Sequence, residues 1–207
     1  MTPRRSDARH RILREAMRLF AEQGYERTSV ADIHAAAGLT PGSGAMYKHY
    51  PSKESLLRAG MDQFIEENVQ ARALLRDPAM PADEALAFIA QEALRRLGEV
   101  RDEMRVAWRE LEPFPELQGR VRREVMQANY RTIARWLKER TAAGEFRAHD
   151  AEAAACVMLG SLVMFRLFEA LWGEKILPVS DARFAAAWTE LFARALQPPA
   201  AGRGSER

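Results

Sequence analysis

The side chains best suited to chemistry in this chain are basic, aromatic and hydroxyl groups interleaved over residues 28–53. Tyr47, Lys48 and His49 are consecutive, and such groups can pack against sugars and thymine methyl groups while donating hydrogen bonds to phosphates. These residue types favour binding to duplex DNA. A second interpretation stays open for Tyr47, which could instead be a core residue of a small helical unit.

Further residues of this stretch and of the N-terminus can contact phosphates. Lys53 lies in the first turn of a predicted helix, where its ammonium joins free backbone N–H groups and makes a site for one phosphate. The Thr28 and Thr40 hydroxyls lie at two other helix starts, and Arg5 belongs to a basic arm. The DNA-contacting residues that we predict are Arg5, Thr28, Thr40, Ser43, Tyr47, Lys48, His49 and Lys53.

Short helices joined by tight turns are predicted to position these side chains. Apolar residues recur at helical spacing over residues 6–23, and Ser29 with Asp32 forms a capping-box pattern for a second helix. A third helix over residues 40–50 presents the basic and aromatic groups, and the spacing of Tyr50 favours its inner face. A three-helix unit of this size can place one helix in the DNA major groove.

A set of short motifs runs through the first 60 or so residues. Its members are Leu19-Phe20-Ala21-Glu22, Gly24-Tyr25, Thr28-Ser29-Val30, Asp32-Ile33, Ala37-Gly38-Leu39-Thr40, Met46-Tyr47-Lys48-His49-Tyr50 and Ser52-Lys53-Glu54. As a set, these motifs resemble the TetR family of bacterial one-component transcriptional regulators. The resemblance implies a homodimer, two helix-turn-helix units on pseudo-palindromic double-stranded DNA, and an all-helical body that often binds a small molecule.

One stretch departs from the family pattern. Pro41-Gly42-Ser43-Gly44 is about two residues longer than the family usually has at this point. Each Gly in a helix interior costs about 1 kcal/mol relative to Ala. We therefore expect either a longer turn or a recognition helix that starts later, with Ser43 as its cap. The contacts expected from Tyr47, Lys48 and His49 hold for both outcomes.

The charge distribution supports a polyanionic partner for the N-terminal part alone. Residues 1–60 contain ten Lys or Arg and six Asp or Glu, whereas the remainder contains 21 and 23. A basic unit attached to a mildly acidic body suits DNA binding by the first part.

Other classes of function find little support in the sequence. We see no nucleophile–base pair, phosphate-binding loop or metal-ligand spacing, so we predict a protein that is not an enzyme and has no cofactor or metal. Cys156 is the only cysteine, the N-terminus has no signal-peptide pattern, and the longest apolar run, residues 153–165, is too short to span a bilayer. We predict a cytoplasmic protein without membrane contact.

The remaining chain is predicted to be helical because Ala, Leu, Arg and Glu dominate it. The fold class that we predict is all-α with about nine helices. We expect a helix-turn-helix DNA-binding domain over residues 1–54, a helical effector-binding and dimerisation domain over residues 55–197, and a disordered tail over residues 198–207. The later helices are expected at about 53–75, 82–97, 101–111, 116–143, 150–172 and from 181 onwards.

The last two helices are the predicted dimer interface. The helix over residues 150–172 is apolar almost all round, and such a helix must be covered on more than one side. Two such helices meeting their symmetry mates would form a four-helix interface. Purely internal packing stays open as an alternative. The interface residues that we predict are Leu159, Val163, Phe184, Trp188, Leu191 and Phe192.

An effector pocket is predicted from methionine and aromatic residues, which adapt to varied apolar ligands, although the same set would serve as ordinary core. Arg166 lies in an apolar helix and needs a partner, either Glu169 or a ligand carboxylate, and we favour Glu169. The predicted effector-binding residues are Met104, Trp108, Leu111, Met126, Tyr130, Ile133, Leu162, Phe165 and Arg166.

The sequence thus predicts a ligand-responsive repressor that is released from its operator by a small apolar or amphipathic effector. A DNA-binding factor controlled by a protein partner is the alternative. For either function, the separation of the two recognition helices in the homodimer must match one turn of DNA, roughly 34–36 Å.

Overall fold

The computed structural model describes residues 3–40, 44, 46–73 and 80–198, and these residues confirm the all-α fold. The expected disordered tail lies outside the described residues from position 199 onwards. The helices are α1 Pro3–Gln23, α2 Val30–Ala36, α3 Lys53–Ala73, α4 Ala82–Glu99, α5 Arg101–Arg109, α6 Pro115–Arg120, a π-helical segment Val121–Gln127, α7 Ala128–Ala142, α8 Ala151–Trp172 and α9 Asp181–Leu196.

Local sequence signals set several helix ends as expected. The Ser29 hydroxyl accepts a hydrogen bond from the Asp32 amide at 3.1 Å, and the Ser29 amide donates to the Asp32 carboxylate at 2.9 Å, which confirms the capping box. The Ser29 hydroxyl also donates to the Asp32 carboxylate at 2.6 Å, and this bond, together with the one from the Ser29 amide, lowers the pKa of Asp32. Asp150 caps α8 by accepting from two backbone amides. Gly24 ends α1 with a φ of +93°, a conformation that L-residues with a side chain rarely adopt.

Two predicted helices differ from the observed ones. The helix expected to break at Gly98 continues to Glu99, so that α4 and α5 are interrupted at Val100. The helix expected over residues 116–143 begins at Pro115 and passes through the π-helical segment before α7. The sequence shows no local signal for this π-helical segment.

The described residues form two compact units. The first contains the chain up to Ala71 together with Val100–Val125. Its core joins α1, α2 and α3 with apolar side chains of the later segment, including Val106, Leu111 and Leu117. The division expected after residue 54 stays a prediction, but packing groups the residues differently because the later segment completes the core of the N-terminal helices.

The second unit contains Arg72–Glu99 and the chain from Met126 onwards. Within it, α4, α7, α8 and α9 enclose an apolar core. The indole N–H of Trp188 donates to the Met158 carbonyl at 3.1 Å and to the Ser161 hydroxyl at 3.0 Å, which fixes α9 on α8.

By length and hydropathy alone, α8 could cross a membrane, and the expectation of too short an apolar run was therefore wrong. Its most apolar 18-residue window has a mean hydropathy of 1.8, and 28% of that window is buried. Core helices of soluble proteins can share this composition, so the finding is weak evidence for a membrane span.

Candidate nucleic-acid interface

Residues 46–50 form a single turn, which we name the contact turn. The Met46 carbonyl accepts hydrogen bonds from the amides of His49 at 2.9 Å and Tyr50 at 2.8 Å. The helix predicted over residues 40–50 is therefore corrected in its described part: Thr40 and Gly44 are not helical. The glycines of this stretch disfavour a longer helix. The predicted contact residue Ser43 lies outside the described residues.

Burial divides the contact turn into anchors and exposed groups. Met46 and Tyr50 are buried in the core of the first unit, which confirms the inner position expected for Tyr50. Tyr47 is 54% exposed, so its interpretation as a core residue was wrong. Lys48 is also exposed, and His49 is half-buried. The contact turn is thus fixed in the core by Met46 and Tyr50, while Tyr47 and Lys48 are exposed to solvent.

Three residues that precede the contact turn in the chain, Thr40, Arg9 and Arg5, also bear on its predicted DNA contacts. Thr40 is exposed, as its predicted contact with a phosphate requires. The Arg9 guanidinium lies 5.7 Å from the centre of the Tyr50 ring. Arg5 lies within α1, so the basic arm expected over residues 1–6 is helical from Pro3.

Thr28 does not offer its hydroxyl to a phosphate, and this prediction is corrected. The residue is 1% exposed, and its hydroxyl donates to the Gly24 carbonyl at 2.8 Å. The same oxygen accepts a long hydrogen bond of 3.4 Å from the side-chain amide of Gln23. Thr28 instead closes the turn between α1 and α2, because that turn leaves carbonyls without helical partners.

The ammonium of Lys53 is engaged by the protein itself, which corrects its expected role as a free phosphate ligand. Lys53 Nζ donates to the carbonyls of Tyr25 at 2.8 Å and Glu26 at 3.4 Å. It also lies 4.2 Å above the Tyr25 ring. The α1–α2 turn attracts the ammonium because its exposed carbonyls carry partial negative charge, so Lys53 links that turn to the start of α3.

Sequence reasoning missed Glu110. Its carboxylate accepts a hydrogen bond from the Tyr25 amide at 2.8 Å. The two residues are 85 positions apart, so local periodicity held no signal for their contact.

The exposed face of α8 is not the one predicted for the dimer interface. Leu159 and Val163 are half-buried, whereas Val157 is 63% exposed and Met164 is 41% exposed. The exposed pair and Gly160 follow one another at spacings of three and four, which places them on one stripe of the helix. Because α8 is apolar all round, its sequence did not distinguish this stripe from the buried ones.

The predicted interface residues of α9 are also divided. Trp188 is buried, and its indole bonds to α8 place it in the core of the second unit. Phe184 and Phe192 are half-buried against the same core, and the Phe184 ring stacks on Phe165 at 4.0 Å. Of the four interface residues predicted on α9, only Leu191 is largely exposed, at 67%.

The predicted effector residues belong to both units, and their convergence on one pocket stays a prediction. Leu111 is core of the first unit, and Ile133 and Leu162 are core of the second, so their packing fits the core interpretation, while their contact with an effector stays a prediction. Trp108 is 52% exposed. The residues in the first unit are Met104, Trp108 and Leu111, and those in the second are Met126, Tyr130, Ile133, Leu162, Phe165 and Arg166.

Arg166 forms the internal ion pair that the sequence favoured. Its guanidinium bonds to Glu169 at 2.8 Å, to the Asp181 carboxylate, and to the Leu94 carbonyl at 3.2 Å. A Cβ atom added at Gly98 would lie 3.3 Å from this guanidinium, so the helical glycine leaves room for it. Arg166 thereby ties α4, α8 and the start of α9 together.

Replacing Arg166 with methionine should lower the free energy of unfolding by about 2 kcal/mol, because three charge-assisted hydrogen bonds are lost while both carboxylates keep access to water. Chemical denaturation followed by circular dichroism measures the change. Arg183→Met, at an exposed position of α9, is the matched control and should be neutral. Equal stability of the two variants would contradict a structural role for Arg166.

Two family models match most of the chain. Residues 12–59 match the model described as "Bacterial regulatory proteins, tetR family", and residues 84–197 match the one described as "AefR-like transcriptional repressor, C-terminal domain". The first match contains the contact turn, and the second contains α5 to α9.

The chain is 31% identical over 133 residues to the HTH-type transcriptional repressor KstR2 of Rhodococcus jostii (strain RHA1), a match that covers 52% of this chain and 64% of that protein. The chain thus spans less than two thirds of that relative's length.

Solved structures agree over nearly the full length. A bacterial regulatory protein in the tetR family from Rhodococcus RHA1 superposes with a TM-score of 0.71 and 25% identity, covering 93% of this chain and 98% of its own. A transcriptional regulator from Saccharomonospora viridis in complex with choline has a TM-score of 0.74 at 22% identity, covering 94% of this chain and 100% of its own.

Proposed function

The chain belongs to the TetR family of bacterial regulatory proteins, and we propose that it binds a pseudo-palindromic operator as a homodimer and represses transcription until a small molecule releases it. Family membership makes it a DNA-binding transcriptional regulator and not an enzyme. We place it in the cytoplasm, on the nucleoid when bound to DNA.

The observation that carries the DNA-binding proposal is the division of the contact turn. Met46 and Tyr50 are buried anchors, while Tyr47 and Lys48 between them are exposed. An exposed tyrosine ring next to a lysine has no core to stabilise it, yet both groups suit the base edges and phosphates of a major groove. His49 follows this pair, and Thr40 lies seven positions before Tyr47.

The exposed stripe of α8 supports a homodimer. Val157 and Met164 leave apolar surface in water, with Gly160 between them allowing close approach of a second backbone. A twofold axis would bring two such stripes together and bury both, because the same patch then meets itself. Leu191 of α9 would extend the interface.

The effector that we propose is a small amphipathic molecule. Burial raises the pKa of the Glu103 carboxyl on α5, and this carboxyl has no ion pair within the described part of the chain. Met104 beside it is buried. A half-buried carboxyl suits a basic group of a ligand, and methionine side chains suit an apolar body.

Capture of genomic DNA fragments at low salt tests the proposed function. We expect enrichment of fragments that share two half-sites about one helical turn apart. If each subunit contacts roughly four phosphates, affinity should fall on the order of a thousandfold between 50 and 200 mM salt. Recovery of no fragment above the random background would contradict DNA binding by this protein.

Effector release needs its own experiment. Thermal unfolding in the presence of a library of amphipathic amines and acids should reveal compounds that raise the melting temperature and lower operator affinity together. Stabilisation without any change in operator affinity would contradict regulation by that compound.

A further inference from the structure

Tyr25 is held by side chains from two distant parts of the first unit. Its amide donates to the Glu110 carboxylate at 2.8 Å, and its carbonyl accepts from the Lys53 ammonium at 2.8 Å. A charged side chain therefore bonds to each backbone group of this turn residue, although the carbonyl also accepts from the Thr28 amide at 3.2 Å. Hydrogen bonds to charged groups are the stronger kind. The two charges have opposite sign, as the opposite polarity of N–H and C=O requires.

The Tyr25 ring is enclosed as well. It packs against Phe20 with 5.2 Å between ring centres and meets Phe114 edge-on, also at 5.2 Å. Lys53 Nζ lies 4.2 Å from the ring centre, within the range of a cation–π contact. Burial raises the pKa of the phenol, as expected for a ring surrounded by protein. We name this arrangement, formed by Phe20, Tyr25, Lys53, Glu110 and Phe114, the Tyr25 clamp.

The clamp lies on both sides of the contact turn along the chain. Tyr25 lies in the connection between α1 and α2, and Lys53 is the first residue of α3, three positions after the anchor Tyr50. A shift of Lys53 relative to Tyr25 would therefore also move Tyr50, one of the two buried anchors of the contact turn. Glu110 and Phe114 follow α5 and restrain Tyr25 from outside the helix-turn-helix sequence.

We propose that Glu110 and Phe114 are positioning residues for DNA binding, which act through Tyr25 and Lys53 to hold the contact turn in the orientation that the operator needs. The proposal rests on the operator binding proposed above. In this proposal, neither Glu110 nor Phe114 contacts DNA. They determine how well Tyr47 and Lys48 meet base edges, and they leave the general attraction to phosphates unchanged.

The test compares Glu110→Leu with Glu110→Gln, because the glutamine oxygen can still accept from the Tyr25 amide. Both variants are measured as full chains on a captured operator and on unrelated DNA. For Glu110→Leu we expect operator affinity to fall about tenfold, because only about a tenth of the variant would hold its contact turns in the orientation that the operator needs. Affinity for unrelated DNA and the salt dependence should stay unchanged, since no phosphate contact is lost. Glu110→Gln should bind the operator within about threefold of the parent chain.

Two further variants keep the result interpretable. Glu112→Leu removes an exposed carboxylate two residues away and should bind like the parent chain. If Glu110→Leu fails to fold, Phe114→Leu replaces it and should show the same selective loss for the operator. Equal losses on operator and unrelated DNA, or equal effects of the leucine changes at 110 and 112, would overturn the inference. Failure of the parent chain to bind any duplex would count against the proposed function instead.

Discussion

Replacing Tyr47 with alanine should lower operator affinity by about a hundredfold or more and leave the melting temperature unchanged. The ring is 54% exposed, so its removal creates no cavity. A specific base contact is worth about 1–3 kcal/mol, and a homodimer would lose two of them. Fluorescence anisotropy with a labelled operator measures the change.

A matched control separates this effect from a general loss of exposed apolar surface. Val69, on α3, is also about half exposed, and Val69→Ala should bind the operator normally. Tyr47→Phe tests the hydroxyl alone, because it keeps the ring. If Tyr47→Ala binds as tightly as Val69→Ala, the assignment of the contact turn to the DNA interface is wrong.

A double change of Val157 and Met164 to glutamate should convert the protein to a monomer and reduce operator affinity on the order of a thousandfold. Both side chains lie on the exposed stripe of α8, so the monomer should still fold. In a homodimer the four carboxylates would be brought together without counterions, which is strongly unfavourable. A monomer contacts half as many phosphates and loses the corresponding counterion release.

Sedimentation equilibrium measures the mass directly, and circular dichroism checks the fold. Val69→Glu introduces one glutamate on an exposed apolar residue of α3, outside the stripe, and should leave the mass unchanged. A variant that keeps twice the monomer mass would show that the subunits associate through another surface.

Features encoded by neighbouring residues were predictable from the sequence. The capping box of Ser29 and Asp32 is confirmed, and the end of α1 before Gly24 and the Asp150 cap of α8 follow from equally local signals. Each depends on backbone groups within one helical turn, so residue type and spacing suffice to predict it. The pair of Arg166 with Glu169 belongs to the same class, since the residues are three positions apart.

Features that depend on tertiary packing were not predictable. Lys53 bonds to carbonyls 27 and 28 residues earlier, and Glu110 bonds to an amide 85 residues earlier. The stripe of α8 that faces solvent is decided by the helices packed on it, because an all-apolar helix has no polar face to indicate it. Residue type indicated that these side chains needed partners, but not which ones.

The exposed position of Cys156, one residue before Val157 on α8, has a practical consequence. As the sole cysteine, it offers a thiol-reactive reagent one defined point per subunit without mutagenesis. Because Cys156 lies four and eight positions before Gly160 and Met164, association through this stripe would shield the thiol, and its labelling rate would report how far the subunits have separated in solution.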